Sequence, residues 1–219
     1  MCTNTCVSEA DPTHFIFPLD VITGNSTPSL NSTSSLTLHN RPRLISTPHN
    51  NGLLLRDDAH LSAHAQLLCP VSLLNCSDGY TVRFAVRTRS LNNNTNFLSS
   101  AALNIFYRDG HLHAVAMTPA QVWRAKTSSF FSGRWNHVEV TWKPEAGLLL
   151  FVNGNRHASD RTPDVNNEFL NPDPRIVIGR ASTRDAASDY VIDDLELWQA
   201  FRSDLIEKSL IAPGGWLPA

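Results

Sequence analysis

The 219-residue sequence predicts an all-β chain: an antiparallel β-sandwich with one short helix near its C-terminus. Three observations carry that prediction. Short runs alternate apolar and polar residues with a period of two, as strands buried on one face do. The dipeptides Asp109-Gly110 and Asn153-Gly154 separate such runs, and they are what a two-residue hairpin turn requires. Helical patterning is confined to Arg202–Leu210, with Ser203 as its cap.

In chain order, His14–Leu19 reads as an opening strand that Pro18 places at an edge or end. Thr23–Leu38, rich in Ser, Thr and Asn, reads as a surface loop with a short strand piece at Leu36–Leu38. Leu53–Leu55 is a short buried strand after the turn at 48–52; Arg56-Asp57-Asp58 turns the chain into a second short strand near Ala59–Ala63. In Tyr80–Thr88, Val82, Phe84 and Val86 alternate with Arg83 and Arg87, and Arg89 continues the polar face. Asn92–Asn96 is a loop, and Phe97–Arg108 pairs with His111–Met117 across Asp109-Gly110. Val122-Trp123-Arg124 and Phe130-Phe131 continue the meander.

Trp135–Trp142 points Val138, Val140 and Trp142 one way and His137, Glu139 and Thr141 the other. Pro144–Gly147 turns the chain and Leu148–Val152 returns it. Pro163, Pro172 and Pro174 argue against a central strand in the polar segment Arg156–Pro174. Arg175–Gly179 and Tyr190–Trp198 are the last strands, and no internal repeat is visible.

Composition bounds the function. Apolar residues make up 42%, charged residues 17%, and the formal charge is −2, so no global bias toward nucleic acid or an anionic membrane exists. No apolar run is long enough for a membrane helix, and the first residues lack a signal-peptide apolar region. The chain is therefore expected to be a segment of a longer protein that does not itself insert into a membrane. The four cysteines, Cys2, Cys6, Cys69 and Cys76, allow three connectivities, of which the local pair Cys69–Cys76 is the most economical. Closing that loop gains about 2.5 kcal/mol in the chain-entropy model. Neither spacing is a zinc knuckle. Asn-x-Ser/Thr acceptors at Asn25, Asn31, Asn75 and Asn93 point with the cysteines to an extracellular setting, secreted or on a receptor ectodomain.

Taken together, Phe17-Pro18-Leu19-Asp20, Gly52–Leu55, Cys69 with Cys76-Ser-Asp-Gly-Tyr-Thr-Val, Trp135-Asn-His-Val to Trp142, Val152-Asn-Gly, Ile176–Gly179 and Ile192–Trp198 resemble a laminin-G-like jelly roll of the concanavalin-A-like superfamily. The likeness spans nearly the whole chain, and the order and spacing of individually degenerate motifs carry it. It implies a jelly-roll sandwich over 14–212, preceded by a cysteine-containing segment 1–13 and followed by a tail 213–219. The pentraxins also resemble this chain, but Glu139 stands where their strand cysteine would be, and Thr81–Val86 holds no partner for one. That departure argues against a pentraxin ring.

The candidate site follows from the same likeness. Strict alternation would put Val191, Asp193, Leu195 and Leu197 on one face, so Asp193 would point toward the apolar side and Asp194 outward. The resemblance implies a rim cation near such aspartates, and Asp57 and Asp58 would complete a calcium site with Asp193 and Asp194. The alternative is that Asp193 accepts backbone N–H bonds and pins a loop without metal. Arg83, Arg87 and Arg89 form either an acidic-glycan face or a solvated face with cross-strand carboxylate partners. No glycosidase carboxylate pair, nucleophile elbow, zincin helix or phosphate loop occurs. The function expected is a non-catalytic recognition or adhesion module with a protein or glycan partner held by rim loops. A structural spacer, or a glycosidase using a carboxylate such as Glu139, are the alternatives. Calcium is the one cofactor expected, and nucleic acid is not a partner.

Overall fold

The computed structural model describes residues 14–47, 50–64, 76–89, 91, 94–166, 175–180 and 188–202. Two antiparallel sheets face each other. The first, sheet A, contains β4 (Arg43–Ser46), β5 (Asn51–Asp57), β7 (Tyr80–Thr88), β12 (Trp135–Lys143), β13 (Gly147–Val152), β14 (Asn155–Asp160) and β17 (Ser188–Trp198). Its order is β14-β13-β12-β7-β17-β5-β4, and β1 (His14–Phe17) adds a short pairing to the end of β17. Sheet B contains β2 (Ser26–Pro28), β3 (Ser35–His39), β6 (His60–His64), β8 (Thr95–Ser99), β9 (Leu103–Arg108), β10 (His111–Met117), β11 (Gln121–Thr127), β15 (Asp164–Val165) and β16 (Arg175–Ile178). They run in the order β15-β11-β10-β9-β8-β16-β6-β3-β2.

The core fills the space between the sheets. Tyr80, Val82, Phe84 and Val86 of β7 point into it, beside Val138, Val140 and Trp142 of β12. Phe97 reaches across from β8 to Phe84, Phe130 and Tyr190, with ring centroids 6.1, 5.3 and 5.1 Å away. Tyr190 then donates its hydroxyl to the carbonyl of Asn96 at 3.0 Å, which ties β17 to the opposite sheet. Both predicted two-residue turns form. Asp109 and Gly110 have φ of 50° and 78°, Asn153 and Gly154 53° and 77°, the left-handed pair that Asp-Gly and Asn-Gly supply at least cost.

Several expectations need correction. In the polar tract at 23–38 the strand piece at Leu36–Leu38 forms within β3, but Ser26–Pro28, expected as loop, pairs with it, because Thr27, Leu36 and Leu38 alternate inward. The run 97–108 is two strands, not one. Ser100 breaks it, its hydroxyl accepting the N–H groups of Ala102 and Leu103 while its backbone N–H binds the Leu103 carbonyl. Within 156–174 the described residues hold no central strand, as expected, though short strands do form: β14 and β15 lie at the outer ends of their sheets. The expected helix lies almost wholly outside the described residues, none of which is helical.

The largest correction lies in β17. Asp193 pairs with Ala85 and Glu196 with Arg83, so Asp194 and Leu195 together oppose the single residue Phe84. This is a β-bulge, and Asp194 absorbs it at φ 48°. The extra residue switches the inward set from Tyr190 and Ile192 to Leu195 and Leu197. Asp193 therefore leaves the core side and shares the outer face with Val191, Glu196 and Trp198.

Candidate functional site: the outer face of sheet A

The register orders that face in rows. Trp135, Arg87 and Val191 form one; His137, Ala85 and Asp193 the next; then Glu139, Arg83 and Glu196; then Thr141, Thr81 and Trp198. Alternation along β7 and β12 puts these side chains outward because their neighbours are committed to the core. Ala85 is the low point at the centre. The Arg87 guanidinium lies 5.5 Å over the Trp135 ring. At the other end His14 stacks on Trp198 at 4.4 Å and donates to Glu196 at 3.2 Å, while the Arg202 guanidinium stands 5.9 Å from the same indole. Below them, the Thr81 and Thr141 hydroxyls bond to each other at 2.8 Å, and Thr81 also donates to the Ala200 carbonyl at 2.9 Å.

The predicted arginine face is thus interleaved. Arg83 has a carboxylate in register on each side, Glu139 and Glu196, and Arg87 has an indole. Arg89 lies beyond the end of β7, its backbone N–H bonded to the Asp189 carbonyl at 3.2 Å. The three do not form an uncompensated basic strip.

The four aspartates proposed for calcium do not meet. Asp57 sits opposite Ser188, and Asp193 lies five residues further along β17, about 16 Å at strand rise. One ion with bonds of about 2.5 Å cannot span that gap. Among the described residues no group of three or more His, Cys, Asp or Glu is placed to hold a metal. Asp58 instead offers its carbonyl to Asn40 and His60, at 3.1 and 2.8 Å. Asp193 accepts the Asp194 N–H at 2.9 Å. Burial, with the nearby charges of Asp194 and Asp20, pushes the Asp193 carboxyl up to about 7.

Of the glycosylation acceptors, Asn25 is exposed. Asn31 is not idle: its Nδ2 donates to the His14 carbonyl at 2.7 Å and its Oδ1 accepts the Ile16 N–H at 3.0 Å, so it fastens β1. Asn75, Asn93, Cys2, Cys6 and Cys69 lie outside the described residues, and Cys76 is buried in the core.

Two features escaped sequence reasoning. Asn136, fully buried, holds the turn before β12: it donates to the Phe131 and Arg134 carbonyls at 2.8 and 3.0 Å and accepts the Phe131 N–H at 3.2 Å. His39 and His60 stack across sheet B. Neither carries a sequence signal: the bonds of Asn136 are local but follow no turn pattern that residue types announce, and His39 meets His60 only through strand register.

A family model described as the concanavalin A-like lectin/glucanases superfamily, Laminin_G_3, matches residues 58–205. The chain belongs to this laminin-G family. The match begins at the β5–β6 turn and runs through β17, taking in every row of the outer face described above except His14. The human adhesion G-protein coupled receptor D1 is 34% identical over 68 residues, covering 30% of this chain and 8% of that receptor. Among solved structures, a botulinum neurotoxin serotype D ligand-binding domain in complex with N-acetylneuraminic acid superposes with a TM-score of 0.67 at 12% identity, over 93% of this chain and 51% of that one. The binding domain of Paraclostridial Mosquitocidal Protein 1 gives 0.66 at 14% identity, over 89% and 51%. At these identities the likeness shows the fold. The chain spans about half the length of those structures and far less of the receptor.

Proposed function

We propose that this laminin-G-like domain is a non-catalytic extracellular recognition module whose partner, a glycan or a protein, binds on the outer face of sheet A. The observation that supports it is the set of half-buried groups around Ala85: the Trp135 indole under Arg87, the His137 imidazole, and Arg83 with a carboxylate in register on each side. An indole offers a flat apolar face, and the groups beside it donate and accept hydrogen bonds in fixed directions, which is how polar ligands are held on a sheet. This moves the expected contact from the rim loops to the sheet.

The same rows weigh against hydrolysis. Glu139 and Glu196 flank Arg83 in one row of the sheet, so a cationic residue, not an open space for sugar and water, lies in register between the two carboxylates. The extracellular setting and the Cys69–Cys76 bridge belong to the same reading, as does a domain running over about 14–212. The solved neighbour bound to N-acetylneuraminic acid lends support to the glycan arm. Screening the purified chain against immobilised glycans and receptor ectodomains tests the proposal, with outer-face variants as controls.

A further inference from the structure

On sheet B, Leu36 and Leu38 of β3 and Leu61 of β6 point into the core, so His39, Thr37, His60 and Ser62 must point out. His39 and His60 are direct partners across the ladder, and their rings stack at 4.5 Å with an angle of 10°. Each ring is oriented by a second bond: a ring nitrogen of His39 meets the Ser62 hydroxyl at 2.8 Å, and His60 Nδ1 donates to the Asp58 carbonyl at 2.8 Å. Among the described residues these bonds occupy one nitrogen of each imidazole, with the His39 ring the more exposed of the two.

The chain brings cations to this pair. Ile178 pairs with Leu61, so Gly179 arrives beside His60. A Cβ at Gly179 would stand 2.9 Å from Leu55 Cδ1, 3.0 Å from the Ala59 carbonyl and 3.2 Å from His60 Cα, at φ 105°. Glycine alone lets the end of β16 close over β6 in this way, and it delivers Arg180 next to the histidines. Arg175, at the start of the same strand, faces the outer side two rows away. Burial first, then the two guanidiniums, hold both imidazoles below their ordinary pKa, and for His60 the neighbouring His39 ring adds to this while the bond to the Asp58 carbonyl opposes it. Asp57 and Asp58 flank the pair on the β5–β6 turn and Arg41 follows β3. Of these, Asp58 bears on His60 through its carbonyl.

We infer that His39, His60 and Arg180 form a site for a tetrahedral oxyanion, a sulfated or phosphorylated sugar, that fills as the two histidines take up protons. In a chain of net charge −2 this is a local concentration of positive potential, and an anion that arrives with the protons offsets the repulsion between two stacked imidazoliums. The site deepens the glycan arm of the recognition reading, yet it lies on the opposite sheet from the face proposed above.

The test is titration of the intact chain with inorganic sulfate, a sulfated disaccharide and a phosphorylated monosaccharide at about pH 5.5 and about pH 7.5, following the imidazole resonances. Affinity should be about tenfold higher at the lower pH, with His39 and His60 shifting together. The sulfated and phosphorylated arms show which ester fits. Arg180→Gln should lose about tenfold at pH 5.5, and the His39→Gln/His60→Gln double variant should bind weakly and alike at both pH values, with the melting transition of each variant confirming a folded chain. Binding no tighter at the lower pH, or unchanged in the folded variants, overturns the site. A glycan found by array that binds the double variant as well as wild type removes this site and leaves the recognition reading standing; oxyanion uptake with a silent array does the reverse.

Discussion

The backbone N–H of Asp194 donates to the carboxylate of Asp193 at 2.9 Å, inside the bulge that turns β17 over. That bond favours the ionised carboxylate, yet burial and the charges of Asp194 and Asp20 outweigh it and hold the carboxyl up to about 7. Because the folded-state pKa is raised from 3.8, the folded chain keeps a proton that the unfolded chain releases. The resulting stability is complete below about pH 4 and is lost as pH rises through about 7. Asp193→Asn, which keeps the acceptor oxygen, should therefore be more stable than wild type by roughly 2 kcal/mol at about pH 8, with the difference vanishing near pH 4. Urea melts across that range measure it; a difference that does not depend on pH would show that Asp193 ionises normally.

Asn31 is spent on β1. Its replacement by Ala removes the acceptor of the Ile16 N–H and the donor to the His14 carbonyl, at an expected cost of about 1–3 kcal/mol. For the same reason glycopeptide mass spectrometry of material from a secreting host should find Asn25 carrying glycan and Asn31 bare. A fully occupied Asn31 in a chain of unchanged stability would contradict the assignment.

Phe97 is in ring contact with Phe84, Phe130 and Tyr190 together. Its replacement by Ala should cost about 3–5 kcal/mol, seen as a lower urea midpoint with unchanged slope, whereas Tyr190→Phe, which loses one bond to Asn96, should cost about 1 kcal/mol. Equal effects from the two would mean that the hydroxyl bond, not the packing, joins the sheets there.

What the sequence reveals is what local chemistry controls. Tyr80–Thr88 announces its inward face because each Val or Phe has a polar or small neighbour, and the Asp-Gly and Asn-Gly turns announce themselves because left-handed backbone admits few residues. The bulge at Asp194 is hidden: alternation counts residues, and one extra residue reverses every assignment before it. That is why Asp193 was expected beside Leu195 and found on the other face. Neighbours across strands are equally hidden. Glu139, Arg83 and Glu196 form one row, and His39 meets His60, only through a register that long-range pairing sets. The spacing of the aspartates expected around calcium is hidden for this reason too, since Asp57 and Asp193 lie on neighbouring strands but at different heights.

The central claim is recognition on the outer face of sheet A. Its most direct test is binding of the purified chain to immobilised glycans and receptor ectodomains, repeated with Arg87→Glu and His137→Ala, both of which alter half-buried outer-face side chains and should leave the melting temperature within a few degrees of wild type. The account predicts at least one saturable partner whose affinity falls by about tenfold in each variant, with no product released from any polysaccharide. Silence across both collections, a partner indifferent to both substitutions, or turnover of a polysaccharide would contradict it.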